Sequence, residues 1–198
     1  MQSATARVFV SLTKLDVGPE RAAVEEVLNR LRTTKFVGME YFGSRDETTR
    51  QASLDEVDRS DLCVGIVAGR YGSGITEKEY LRARERKLLC FNYLKREDAI
   101  QTTARDATTK QTKQLKAFKS RLRQQKQGHL VSEFASAYEL AGKVAADLSN
   151  WLFDNYFPRA FAKVADRGVV VTRDVYQRIA DEYPGLRDHV GSRLYKIC

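Results

Sequence analysis

The sequence predicts an α/β domain: a parallel sheet of about five strands between two layers of helices, followed by a helical C-terminal extension. Three observations carry this. Short apolar runs alternate with segments of helical spacing from Arg7 to Leu152. One run, Leu62–Val67, is apolar at every position, as a strand covered on both faces requires. A glycine-rich turn, Ala68–Gly74, then leads into a helix that starts near Ile75. The expected boundaries are 1–152 for the α/β domain and 153–198 for the extension or linker.

The elements follow in order. Arg7–Leu12 is the expected first strand. Asp16 stands as a capping residue before Gly18-Pro19-Glu20, and proline at a first helical position opens a helix that runs to about Arg32. Val24, Val27, Leu28 and Leu31 recur along it at helical spacing. Phe36–Phe42 reads as the second strand, Gly43–Asp46 as a turn, and Thr49–Arg59 as a helix with Leu54 and Val57 inward. Leu62–Val67, Ile75–Arg86 and Leu88–Leu94 are the third strand, its following helix and the fourth strand. Ala99–Gln111, rich in Thr, Asp, Lys and Gln, is expected to be a mobile loop. Thr112–Gln125 is a basic helix with Leu115, Phe118 and Leu122 on one face, and Leu130-Val131 starts a short fifth strand. Ser136-x-x-Glu139 is a capping box. It opens a helix that turns Leu140, Val144, Ala145, Leu148, Trp151 and Leu152 to one side, with Trp151 in the core. Two weaker helical segments, about Arg159–Asp166 and Thr172–Glu182, complete the extension.

A chain of 198 residues is long enough for one domain with a real core and a short appendage. No apolar run approaches the roughly 18 residues of a membrane span, and no leader pattern opens the chain. The expectation is a cytosolic protein with no membrane partner. Cys63 and Cys90 fall in expected core strands, and Cys198 is terminal. There is no Cys-x-x-Cys spacing, and His129 and His189 lie far apart, so neither a zinc site nor a disulfide framework is expected. The net charge of +8 is local: between Lys95 and Lys126, ten Lys/Arg stand against three acids, which is +7.

In open sheets of this kind, small molecules bind beyond the carboxyl ends of the strands. The turn Ala68–Gly74 and the helix after it would stand there, which makes Glu79 the candidate chemical group. Ser11 and Thr13, just past the first strand, belong to the same edge. The turn is not a nucleotide-triphosphate loop, because no Gly-Lys-Ser/Thr follows. Asp61 precedes the third strand and is expected at the opposite edge as a turn or capping residue.

Several blocks together resemble an uncharacterised TIR-like domain family found at the N-termini of STAND-type signalling ATPases and repeat proteins. They are Val8–Thr13, Pro19-Glu20-Arg21, Gly38–Gly43, Ser60–Ile66, Arg70-Tyr71-Gly72, Thr76–Tyr80, Leu115–Phe118 and Leu140–Val144. The likeness covers roughly Arg7–Leu152 and implies a TIR or flavodoxin-like fold. The wider superfamily includes TIR domains and nucleoside deoxyribosyltransferases, where a Gly-Thr-x-x-Glu-x-x-x-Ala segment supplies a catalytic glutamate. Here Thr76-x-x-Glu79-x-x-x-Ala83 keeps that spacing, while Ile75 separates Gly74 from Thr76 and no acid precedes the glycine.

The resemblance implies cleavage of an N-glycosidic bond of NAD or a related nucleotide, taken as substrate; no cofactor is expected. Glu79 would be the nucleophile or would stabilise the oxocarbenium-like sugar cation. A rim of Ser11, Tyr41, Tyr71 and Glu79 is expected, with Glu79 reachable by solvent. Thr13 and Thr76 would line the same site. Amides of Gly72–Gly74 would approach a phosphate, with Arg70 binding a phosphate and Tyr71 stacking on a ring.

Other readings stand beside this one. Thr76-x-x-Glu79 is also a capping-box pattern, in which Glu79 bonds back to the amide of residue 76. Under that reading the domain is a non-catalytic signalling module that self-associates or docks a partner. A third reading is a nucleic-acid sensor that uses the basic helix, although aromatics are not interleaved there as in single-strand binders.

Overall fold

The computed structural model describes residues 5–13, 16–38, 48–106, 108–123 and 131–158. The chain divides into two units, Met1–Leu152 and Phe153–Cys198. The first holds strands β1 (Ala6–Leu12), β2 (Thr34–Val37), β3 (Leu62–Val67), β4 (Leu89–Lys95) and β5 (Val131–Phe134). Its helices are α1 (Gly18–Arg30), α2 (Thr49–Asp58), α3 (Ile75–Glu85), α4 (Thr109–Arg123) and α5 (Ala137–Trp151). In the second unit Phe153 and Phe157 meet edge to face, with ring centroids 5.7 Å apart. The helical segments expected beyond residue 158 lie outside the described residues.

The sheet is five-stranded and parallel throughout, in the order β2-β1-β3-β4-β5. Phe9, Cys63 and Cys90 are in register across β1, β3 and β4, and so are Ser11, Gly65 and Asn92 two residues on. Alternation along the strands divides the side chains between two faces. Phe9, Cys63, Val67, Cys90 and Leu94 form one core with Ala52 and Val57 of α2, Tyr80 and Ala83 of α3, and Leu115, Phe118 and Leu122 of α4. Each large apolar side chain buried there stabilises the fold by about 1.5–3 kcal/mol. The opposite face is covered by α1 and α5, which pack against each other. Two contacts tie them to it: Tyr93 donates to Asp147 of α5 (2.6 Å), and Lys95 pairs with Glu20 of α1 (2.6 Å).

The helix after β1 therefore covers one face and the helix after β3 the other. The connections part between these two strands, and the carboxyl ends of strands at such a parting are where open α/β sheets bind ligands.

Several boundaries move. The second strand starts at Thr34 rather than Phe36 and ends at Val37, and its expected continuation over residues 39–42 lies outside the described residues. Val17 rather than Asp16 precedes α1, with no side-chain cap, because Asp16 is turned to the glycine-rich segment instead. In α2 the buried face is Ala52, Ser53, Glu56 and Val57, leaving Leu54 half-buried. Ser136 caps α5 as its sequence predicts, accepting from the Glu139 amide at 3.2 Å. The segment expected as a mobile loop has defined local structure over its described residues. It makes two short 3-10 turns, Glu97–Ala99 and Thr102–Ala104, buries Ile100, and then enters α4. Polar bonds hold it where apolar periodicity is missing: Arg105 and Lys119 both pair with Glu97.

Candidate active site

Helix α3 buries Thr76, Glu79, Tyr80 and Ala83 on one face. That face points Glu79 at the end of β1. Ser11 Oγ donates to Glu79 Oε2 at 2.5 Å, and Ser53 Oγ of α2 donates to Glu79 Oε1. Three separate elements thus converge on one carboxyl group that is 2% exposed. Burial pushes its pKa above the usual carboxylate value, and the two serine hydroxyls pull in the opposite direction without cancelling the rise. No cation among the described residues bonds to it. Buried charges are ordinarily paired, and the other two buried acids among the described residues obey that rule. Glu20 has Lys95 at 2.6 Å, and Glu56 has Arg7 at 2.6 Å.

Glu79 does not close a capping box. The residue before α3 is Gly74, at φ +73°, so Glu79 is the fifth helical residue rather than the third and cannot reach back to the first amides. Glu77 holds the third position and is used elsewhere: it accepts from the Tyr71 hydroxyl (2.5 Å) and pairs with Arg121 of α4. The carboxylate is also not at a solvent-facing rim, as its 2% exposure shows.

The structure brings Ser11 to Glu79 and sets Thr76 buried on the same helix face. Thr13 lies at the same edge, where its hydroxyl donates to the Arg70 carbonyl at 3.2 Å. The remaining expected ligand contacts are engaged within the protein. Arg70 donates through Nη2 to the Thr103 carbonyl at 2.9 Å. The Tyr71 ring lies over Gly74, where an added Cβ would stand 2.8 Å from the ring. Its hydroxyl pKa is pushed up to about 12 by burial and then by Glu77. The Gly74 amide donates to the Tyr71 carbonyl at 3.1 Å. Asp106 accepts from the amides of Tyr71 (2.5 Å) and Gly72 (3.5 Å). Tyr41 lies outside the described residues.

Three participants were not singled out from sequence. Ser53 carried a usable signal, since it stands one helical turn before Val57, on the inward face of α2. Asp16 sits where a helix cap is expected, and only the fold turns it to Gly69 and Arg70. Asp106 lies in a stretch without periodicity, and nothing local marks it. Asp61 is at the amino edge, as its place before β3 implies, and accepts from the Arg7 amide at 2.9 Å. Cys63 and Cys90 are buried in the core. No group of three or more His, Cys, Asp or Glu suited to a metal ion occurs among the described residues.

A search of curated proteins finds no match to this chain. Among solved structures, the Clostridium botulinum CMP N-glycosidase BcmB is similar at a TM-score of 0.46 and 13% identity, over 72% of this chain and 98% of that one. The model of a domain of unknown function, DUF4062, matches residues 7–149. That span holds Ser11, Ser53 and Glu79 together with strands β2 to β5 and all of β1 but its first residue, and the chain belongs to the DUF4062 family.

Proposed function

We propose that this domain hydrolyses an N-glycosidic bond of a nucleotide, with Glu79 facing the reacting sugar carbon and NAD+ as the first substrate to test. One observation carries the reading: Glu79 is a buried carboxylate at the parting of β1 and β3, held by two hydroxyls and neutralised by no cation among the described residues. Such a group destabilises the fold while it stands alone. It becomes favourable when positive charge develops beside it, and interactions stronger in the transition state than in the ground state are the ones that accelerate a reaction.

The chemistry follows from that charge. The C1′–N bond breaks and its electron pair leaves with the base. In NAD+ that base is a cationic ring that departs neutral, so no general acid is required. The cation left at C1′ faces Glu79, which stabilises it or closes on it as a glycosyl ester. Water then adds to C1′, breaking the ester bond to Glu79 where one has formed and returning the carboxylate, and its proton passes to solvent. In the structure each carboxylate oxygen carries a serine hydroxyl, so the sugar reaches Glu79 by replacing one of them. The signalling or defence setting and self-association belong to the same proposal.

The test is NAD+ turnover by the purified protein across a range of concentrations, with products separated by chromatography. Nicotinamide release that disappears in Glu79→Ala, with circular dichroism unchanged, supports the reading. Release faster than linear in protein concentration supports assembly. No release at any concentration refutes NAD+ hydrolysis.

A further inference from the structure

Four consecutive amides of the glycine-rich turn point at side-chain carboxylates from elsewhere in the chain. Asp16 Oδ2 accepts from Gly69 (2.8 Å) and Arg70 (2.9 Å). Asp106 accepts from Tyr71 (2.5 Å) and Gly72 (3.5 Å). Gly72 is left-handed at φ +59°, and successive amides through such a turn form a concave anion nest. Resting on the glycosidase reading above, we propose that the Tyr71–Gly72 amides are the subsite for the 5′-phosphate of the nucleotide, and that Asp106 occupies it as a built-in competitor.

The two carboxylates are not equivalent. Asp16 stands between β1 and α1, and its two bonds are both short. Its pKa is raised chiefly by burial, against the pull of those amides. Asp106 ends the strap over residues 97–106, which is fastened from outside the sheet. Its fastenings include Arg105 and Lys119 to Glu97 (3.0 and 2.7 Å), Arg70 to the Thr103 carbonyl at 2.9 Å, and the Asp106 amide to the Gly69 carbonyl at 3.3 Å. Gly69 lets the strap lie close, because a Cβ there would collide with the Ala104 carbonyl. Asp106, whose two bonds to the turn are uneven (2.5 and 3.5 Å) where those of Asp16 are matched, is the occupant proposed to leave. Its departure with the strap would free the Arg70 guanidinium, whose buried Nε has no partner. A phosphate would then meet two amides and a cation.

Position favours a substrate phosphate over a stray anion. A Cβ on Gly72 would lie 3.1 Å from Thr13 Cγ2, and Thr13 is two residues past Ser11, which bonds Glu79. Two extended residues span about 7 Å, within the reach of a ribose 5-phosphate laid between Glu79 and the nest. Ligand affinity then includes the cost of displacing the strap, as for any protein whose binding-competent state is a minor one.

The test is ribose 5-phosphate and inorganic phosphate titrated by calorimetry into the full chain, with amide spectra of Tyr71 and Gly72 followed in parallel. Asp106→Asn is expected to bind ribose 5-phosphate about tenfold more tightly than wild type, with both amides shifting. Glu97→Gln, which unfastens the strap without touching the turn, is expected to move affinity in the same direction and covers the case in which Asp106→Asn fails to fold. Asp98→Asn removes the same charge from an exposed neighbour and is expected to change nothing. Equal affinity in Asp106→Asn and wild type overturns the proposal, as does an equal gain in Asp98→Asn. Inorganic phosphate binding as tightly as ribose 5-phosphate overturns its assignment to a substrate. A gain in Asp106→Asn without NAD+ turnover in any variant would remove the glycosidase reading and keep the subsite; turnover without the gain would do the reverse.

Discussion

The two edges of the sheet treat a buried glutamate in opposite ways. At the amino edge, Glu56 of α2 is 5% exposed and bonds two cations, Arg7 at 2.6 Å and Arg59 at 3.3 Å. Arg7 is itself fixed there: its amide donates to Asp61 and its Nε to the Arg59 carbonyl at 3.1 Å. At the carboxyl edge, Glu79 of α3 is 2% exposed and bonds two hydroxyls. Both carboxylates lie on helices that cover the same face, at similar depth. The amino edge is built on ion pairs, whereas the carboxyl edge holds a carboxyl group to which no cation among the described residues bonds. A fold gains nothing from that arrangement, and a reaction that develops positive charge does.

The largest expected effect breaks the carboxyl side of this comparison. Glu79→Gln should lower turnover by at least about 10³-fold, measured as nicotinamide release under saturating NAD+. The same variant should leave the fold intact, because the amide still meets Ser11 and Ser53.

Breaking the amino side should do the opposite. Arg7→Ala removes the shorter of the Glu56 ion pairs to Arg7 and Arg59 and is expected to cost about 1–3 kcal/mol, discounted from the fully buried case because the Arg7 side chain is one-third exposed. Urea unfolding measures it, and turnover per folded molecule should stay at the wild-type level.

Ser53→Ala sharpens the comparison. It removes one of the two bonds that favour ionised Glu79, so the carboxyl pKa should rise further. Turnover requires the carboxylate, and its rising limb with pH should therefore move to higher pH, with a stability loss of about 1 kcal/mol. A rate profile across pH 4–9 reads the shift; an unmoved limb would mean that Glu79 does not set it.

The smallest effect belongs to a solvated pair that serves neither edge. Arg30→Ala breaks an exposed bridge to Glu26 on α1 and should change stability by less than about 0.5 kcal/mol in thermal unfolding.

Most of the framework was legible because it rests on periodicity. Leu62–Val67 could be read without error, since a strand buried on both faces has no polar position to confuse the pattern. Helix α4 was legible for the same reason, through Leu115, Phe118 and Leu122. Glu79 was found by its place after a strand and a glycine-rich turn. Its partners were harder. Ser53 is a polar residue on a buried helix face, where the pattern favours Leu54, and only the carboxylate opposite explains it. Asp16 and Asp106 act through backbone amides of a distant turn, and no local spacing encodes that. Ala99–Gln111 reads as a mobile loop because, Ile100 apart, its described residues are held by ion pairs and carbonyl contacts rather than by periodic apolar burial.

The central claim is that ionising Glu79 costs the fold stability. Its folded pKa is raised, so the native state holds its proton more tightly than the unfolded chain does. Stability from this group is full below the unfolded value, near 4.5, and is lost as pH rises through the folded one. The measurement is urea unfolding of wild type and Glu79→Gln at pH 4 and pH 8. The account predicts that the variant gains on wild type between the two, ending about 0.5–2 kcal/mol more stable at pH 8. A variant less stable than wild type at pH 8 would contradict it and make Glu79 a structural residue.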